Sequence, residues 1–323
     1  MKKDVILRSR VRLARNIKDY PFPPVLNDVC RKEIITKVAN AIQEHGFSED
    51  SSINDDAYAH MLSEENLISR EFAAEKETHA LFLNNNVFIM VCEEDHLRIQ
   101  SFADGSNLFK AGQDAFEAEK ILSEKINFAF NNDLGYLTRC PTNLGTAMRA
   151  SVMMFLPALT LSKRMGEVKS ELEKIGMTIR GMYGEGSSAD AYMYQISNRL
   201  SLGISEEDLL RKTETVAKRI ENDEIDVRTA LFNANKDALT DKIFRSFGTI
   251  KFAHIISSKE FLDCYAYVRL GISLGLISDL TTEKLDKLLY DVMPAHILKS
   301  HEAAGKSATE RDKIRAQIIK STI

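Results

Sequence analysis

The chain has 323 residues, 44% hydrophobic and 28% charged, which is the balance of a folded globular protein and not of a disordered one. Its 43 Lys and Arg against 47 Asp and Glu leave a net charge of -4 with no basic run, so no nucleic-acid partner is expected. No apolar stretch approaches the ~18–20 residues of a membrane span. No apolar leader follows Met1–Asp4, and Cys30, Cys92, Cys140 and Cys264 are too dispersed for a C-x-x-C pair, so a reducing, cytoplasmic setting is the expectation.

In chain order, residues 8–15 read Arg-Ser-Arg-Val-Arg-Leu-Ala-Arg. In a strand, Arg10 and Arg12 project to one face. Two parallel guanidinium groups are costly unless an anion sits between them, and their planar forks suit phosphate. A solvated, charged edge strand fits the same residues. Residues 81–91 predict two short strands around the turn Asn84–Asn86. Residues 93–98, Glu-Glu-Asp-His-Leu-Arg, fall at a strand end. They suit a general base or guanidinium clamp, or a solvated turn.

Residues 111–131 carry Phe116, Ala118, Ile121, Leu122, Ile126 and Phe128 at helical spacing. A strand is predicted over 136–140, then a helix from Thr142 or Asn143 to Phe155. Free N–H groups at that helix start, behind Cys140 and Pro141, would bind an anion. A structural turn with a buried cysteine is the alternative. Residues 180–187 place three glycines around Arg180 and Glu185, a loop that closes over a ligand or an ordinary surface loop.

From Ser205 the pattern is helical, opened by a capping-box signature. Further helices fit 223–234, 239–247, 258–275, 282–291 and 308–321. No proline falls between Pro157 and Pro294, as long helices require. The division expected is an α+β catalytic part, 1–220, followed by an all-helical C-terminal part, 221–323. No G-x-x-x-x-G-K-[ST], HRD or DFG signature occurs.

Taken in order, SRVRLAR, EEDHLR, CPTNLGT-x-x-R and RG-x-YGEGS resemble the guanidino phosphotransferase (phosphagen kinase) family over roughly residues 5 to 215. Two features resemble its bacterial protein-arginine kinase branch, of McsB type. Metabolic members carry a helical domain ahead of the SRVR strand, which here starts within ten residues of Met1. The segment Arg311-Asp312-Lys313-Ile314-Arg315-Ala316 matches the R-D-x-x-R-A motif that binds phosphoarginine in that branch. Arg311 and Arg315 would share a helix face, an unfavourable pair unless an anion bridges it. A solvated helix end reads the same way.

The resemblance implies an antiparallel sheet flanked by helices, with an all-helical C-terminal domain. It implies Arg10, Arg12, Arg98, Arg149 and Arg180 as a clamp on ATP phosphates. Ser9, Val11, Ala150, Ser151, Val152, Met153, Gly181, Met182, Tyr183 and Gly184 would complete the ATP site. Glu94 would be the catalytic base, Glu185 a second carboxylate on the guanidinium, and Cys140 a neighbour of its nitrogens. Mg²⁺ would arrive with ATP. Implied partners are protein substrates with exposed arginines, such as heat-shock repressors and misfolded proteins, a zinc-binding activator, a Clp-type protease and a second copy in a homodimer. The chain departs from the family pattern at Cys92, which stands for the usual Asn, at Asn66, which stands for the usual His, and at Ser188 and Asp190, in a loop that commonly reads G-S-E-A. A small-molecule arginine kinase and a non-catalytic phosphoarginine reader are the competing expectations.

Overall fold

In a computed structural model, residues 4–182, 190–300, 303 and 305–323 are described. The strands are β1 (Ile6–Arg15), β2 (Ser48–Glu49), β3 (Ala80–Asn84), β4 (Val87–Val91), β5 (Leu97–Asp104), β6 (Phe130–Asn131), β7 (Gly135–Tyr136), β8 (Met148–Phe155), β9 (Met177–Gly181) and β10 (Met193–Asn198). The first half of the chain carries helices α1 (Asp28–Ile42), α2 (Asp56–Glu64), α3 (Arg70–Ala73), α4 (Leu108–Ser123), α5 (Pro157–Leu161) and α6 (Met165–Lys174). Then come α7 (Glu206–Ala234), α8 (Lys236–Phe252), α9 (Ser258–Ser273), α10 (Thr282–Asp291), α11 (Pro294–Ser300) and α12 (Ala308–Thr322).

Eight strands form one antiparallel sheet in the order β2-β3-β4-β5-β1-β8-β10-β9, and β6 and β7 form a separate hairpin. Alternation sorts β1. Val11 and Leu13 are fully buried in the core, while Arg8, Arg10 and Arg12 project from the opposite face. Helix α4 supplies Ala111, Ala115, Ala118 and Leu122 to that core. It ends at Ser123, shorter than its apolar spacing suggests, because Phe130 turns into the β6–β7 hairpin against Tyr136.

The helix predicted over 142–155 is a strand. Pro141–Asn143 forms a single 3-10 turn, and β8 follows. Met148, Ala150, Val152 and Met154 are buried in alternation with Arg149, Ser151 and Met153, a period of two that the apolar run 152–156 conceals. Gly145 turns the chain toward β8 at φ +97°, where a Cβ would stand 2.5 Å from the Ser201 carbonyl oxygen. The strand predicted over 136–140 is reduced to β7.

Helix α7 runs unbroken through the expected boundary near 220, with the Ser205 hydroxyl accepting from Asp208 N. It carries Glu224 and Arg228, both buried, into a polar network linking the two halves. Glu224 accepts from Ala158 N at 3.0 Å and Leu159 N at 2.9 Å, and Arg228 Nε donates to it at 3.1 Å. Arg228 and Arg269 both reach Asp4, at 3.1 and 3.2 Å, and Arg269 forks onto Asp286 at 2.9 and 3.1 Å. Asp4, two residues before β1, is thereby fastened to α7 and α9 and, through Arg269, to α10.

Candidate active site

Four strands, β5, β1, β8 and β9, project arginines to one face of the sheet. Arg12 on β1 lies opposite Arg149 on β8, and Arg98 on β5 pairs with Ala14. Arg180 on β9 pairs with Gln195 on β10. With Arg10, these side chains line a cleft of about 980 Å³. Cys140, Gly181, Met182, Glu93 and Glu94 line it too, so of the residues assigned from sequence the structure brings together the five arginines, Glu94, Cys140, Gly181 and Met182.

The cation cluster is electrostatically loaded. Burial first, then Arg149, Arg8 and Arg98, presses the Arg10 guanidinium down to about 9. Arg12 is driven well below its ordinary value by burial and by Arg10, Arg149 and Arg98, with Glu93 opposing. Guanidinium groups do not deprotonate in proteins, so this depression expresses the free energy of holding like charges in a half-dry cleft. Arg12 Nε is buried with no hydrogen-bond partner among the described residues. A polyanion relieves both costs.

The carboxylates sit in the hairpin between β4 and β5. Cys92 N donates to the His96 carbonyl at 2.8 Å, and Glu93 N to Asp95 O at 3.2 Å. Asp95 and His96 are structural. Asp95 Oδ1 accepts from Asn16 Nδ2 at 2.6 Å and from Arg139 N at 2.8 Å, and His96 Nδ1 accepts from Ile17 N at 2.9 Å. Cys92 sits at φ +65°, in the left-handed region that asparagine tolerates better than cysteine. Its side chain is buried, and burial pushes the thiol up to about 12.

Glu94 is half-buried at the cleft wall, and burial, joined by Asp95 and Glu93, raises its carboxyl above the usual range against the pull of Arg98 and Arg139. Sequence reasoning missed Glu93, whose Oε1 accepts from Ser69 Oγ at 2.7 Å and whose Oε2 lies 2.7 Å from Arg98 Nη2. It also missed Ser197, which accepts from Arg149 Nε at 3.1 Å and Nη2 at 2.9 Å. Alternation in β10 places Ser197 and Gln195 on the arginine face, a signal available once β10 is read as a strand.

Other assignments fall elsewhere. The side chains of Ser9, Val11, Ala150 and Val152 turn away from the cleft, because they occupy the core-facing positions of β1 and β8. Ser9 Oγ donates to Gly105 O at 2.7 Å. Ser151 and Met153 line an adjoining cavity. Asn66, at φ +58°, lines both spaces, and its carbonyl accepts from Arg10 Nη1 at 3.5 Å. Cys140 Sγ lies 3.0 Å from Thr142 Oγ1 at a turn, not at a long helix start. Glu185, Tyr183 and Gly184 lie outside the described residues.

On α12, Arg315 is buried. It donates to Val292 O at 2.8 Å and Ile256 O at 2.9 Å and pairs with Asp312. The expected like-charge pair is therefore absent: Arg315 turns inward to backbone carbonyls while Arg311 bonds Lys306 O at 2.9 Å.

An antiparallel sheet carrying arginines that face carboxylates across one cleft defines a guanidino phosphotransferase, an enzyme with ATP as phosphate donor. The chain belongs to this family: residues 32–227 match the model "ATP:guanido phosphotransferase, C-terminal catalytic domain", and residues 236–323 match "Protein-arginine kinase McsB C-terminal domain". It is 39% identical over 326 residues to the protein-arginine kinase of Clostridium novyi (strain NT), covering 98% of this chain and 94% of the relative. To that of Halothermothrix orenii (strain H 168) it is 38% identical, covering 99% and 93%. The crystal structure of lombricine kinase shares the fold, with a TM-score of 0.61 and 22% identity over 71% of this chain and 69% of that one.

Proposed function

We propose that the chain is an ATP-dependent protein-arginine kinase that transfers the γ-phosphoryl group to arginine side chains of proteins. The observation carrying this reading is the placement of Glu94, a half-buried carboxylate raised by burial, on the wall of the arginine-lined cleft. Arg10, Arg12, Arg98, Arg149 and Arg180 grip the triphosphate and its developing charge.

Free guanidinium is a poor nucleophile, cationic up to a pKa above ~12 and with delocalised lone pairs. Glu94 orients the substrate guanidinium and takes its proton as a nitrogen attacks the γ-phosphorus; the P–O bond to ADP breaks as the P–N bond forms. Glu185, outside the described residues, serves as the second carboxylate on the guanidinium, and Cys140 borders its nitrogens. Glu93 is a positioning residue that fixes Arg98. Among the described residues no cluster of three or more His, Cys, Asp or Glu is built to hold a metal. Mg²⁺ in this reading enters on the nucleotide, where it shields phosphate charge.

No described helix is long and apolar enough to cross a membrane. The reading places the enzyme in the cytoplasm, with a catalytic part, 1–220, and a helical part, 221–323, that share α7. Arg311, Asp312 and Arg315 serve a phosphoarginine site that feeds back on activity, with Arg315 fixing the motif to α10. A zinc-binding activator, a Clp-type protease and a homodimeric partner complete the proposed setting. Radiolabel transfer from γ-labelled ATP to casein, set beside free arginine, tests the acceptor class: transfer to free arginine alone would make this a small-molecule kinase.

A further inference from the structure

A ridge of exposed apolar side chains adjoins the cleft on the side of Cys140. Three adjoining segments build it: the β6–β7 turn, the chain at Leu144 and Gly145, and the chain at Ser201 and Leu202. Gly145 N donates to Leu134 O at 2.8 Å, and Tyr136 N donates to Gly145 O at 2.8 Å. On its other side Gly145 bridges Ser201. Ser201 is buried, and its Oγ donates to Leu144 O at 2.8 Å and Asn143 O at 3.3 Å. Alternation therefore turns Leu200 and Leu202 outward, 52% and 51% exposed. On the hairpin, Phe130 and Leu134 are 56% and 42% exposed.

The ridge is continuous with the cleft. Its central segment follows the turn Pro141–Asn143, and Cys140 and Pro141 line the cleft. A small cavity of about 150 Å³ joins the two. It is lined by Arg149 and Arg180 of the cleft and by Asn143, Arg199 and Ser201 beside the ridge. Single exposed apolar residues are ordinary on a protein surface, whereas a group of them beside a substrate entrance marks a contact site. Of the eleven large apolar side chains exposed among the described residues, four fall on this ridge.

We propose that the ridge binds the residues flanking the target arginine in a protein substrate and selects flanks that are apolar. This rests on the reading of the chain as a protein-arginine kinase. An arginine whose guanidinium is held at Glu94 and Cys140 leaves its own backbone at the rim. Its neighbours in sequence then lie against the surface outside Cys140, where the ridge stands. The occupant is an extended segment of polypeptide, because Leu200 and Leu202 repeat at the spacing of side chains on one face of such a segment. The ridge presents carbon and no charge at Phe130, Leu134, Leu200 and Leu202, so apolar flanks gain by burial there and polar ones do not. Free arginine has no flanks and gains nothing from it.

Steady-state transfer from ATP·Mg to two synthetic peptides, measured on the full chain, tests this. One peptide carries a single arginine flanked by leucine and phenylalanine, the other a single arginine flanked by serine and glycine. The wild type is expected to show a KM at least about tenfold lower for the apolar peptide, with kcat within about twofold. The double variant Leu200→Ser, Leu202→Ser is expected to raise that KM to the level of the polar peptide and to leave the polar peptide unchanged. Leu134→Ser is expected to act in the same direction and decides the matter if the double variant fails to fold. Equal KM values in the wild type overturn the proposal, as does a preference that survives the substitutions. Sedimentation in which the substitutions dissociate a dimer while the preference survives would assign the ridge to a second copy, which also overturns it. A wild type that phosphorylates free arginine and neither peptide overturns the protein-acceptor reading itself, a failure distinct from that of the ridge.

Discussion

Arg98 Nη2 lies 2.7 Å from Glu93 Oε2, and the same nitrogen lies 3.3 Å from Glu94 Oε2. The two adjacent glutamates have different environments. Glu93 is 4% exposed and also accepts from Ser69, so it holds Arg98 in place. Glu94 is 36% exposed at the wall and retains capacity to accept a proton.

Glu94→Gln is expected to lower phosphoryl transfer by about 10²–10⁴-fold while ADP binding persists, as for a lost general base. The sign of the pH dependence follows from burial. A base whose carboxyl is raised loses activity on acidification at a higher pH than an ordinary glutamate. The acid limb of kcat against pH should therefore sit above the usual carboxylate range in the wild type. A limb within that range would contradict the assignment.

Arg12→Ala should stabilise the ligand-free protein and abolish stabilisation by nucleotide. The Arg12 guanidinium keeps its charge, so its burial beside Arg10, Arg149 and Arg98 is a penalty on the ligand-free fold that is present at neutrality. Each kcal/mol relieved raises Tm by about 2–4 °C for a chain of this order of size. Thermal melts with and without ADP read both effects, and a lowered ligand-free Tm would contradict the charge argument.

Asp4→Ala leaves Arg228 and Arg269 buried without their shared carboxylate. Breaking a buried ion network in this way costs about 3–5 kcal/mol. Denaturant unfolding should show that loss, whereas the exposed pair Arg245–Asp241 should contribute almost nothing when broken. Equal effects at the two sites would mean the network does not join the halves.

On α12 the two arginines should separate. Arg311→Ala is expected to weaken phosphoarginine binding without moving Tm, because its one described bond is to Lys306 O at the helix start. Arg315→Ala should lose both, since its bonds to Val292 and Ile256 carbonyls join α12 to the rest of the helical unit. Unchanged phosphoarginine binding in Arg311→Ala would leave the motif a structural helix end.

Much of this site is legible in the sequence because β1 obeys strict alternation: Arg8, Arg10 and Arg12 cannot share a face with Val11 and Leu13. The same rule was hidden in β8, where Met153, Met154, Phe155 and Leu156 form a continuous apolar run and the alternation survives only in Arg149 and Ser151. Glu93 was not distinguishable from Glu94 by residue type. Their roles divide only when the β4–β5 hairpin buries one against Arg98 and Ser69 and leaves the other more exposed at the cleft wall. Arg315 looked like half of a charged pair because helical spacing gives proximity on a face and says nothing of which side is buried.

The most direct measurement is mass spectrometry of casein after incubation with the chain and ATP·Mg, beside the same incubation with Glu94→Gln. Phosphoarginine on casein with the wild type and its loss in the variant is the result expected. Casein free of phosphoarginine under wild-type conditions, or equal modification by Glu94→Gln, would contradict the account.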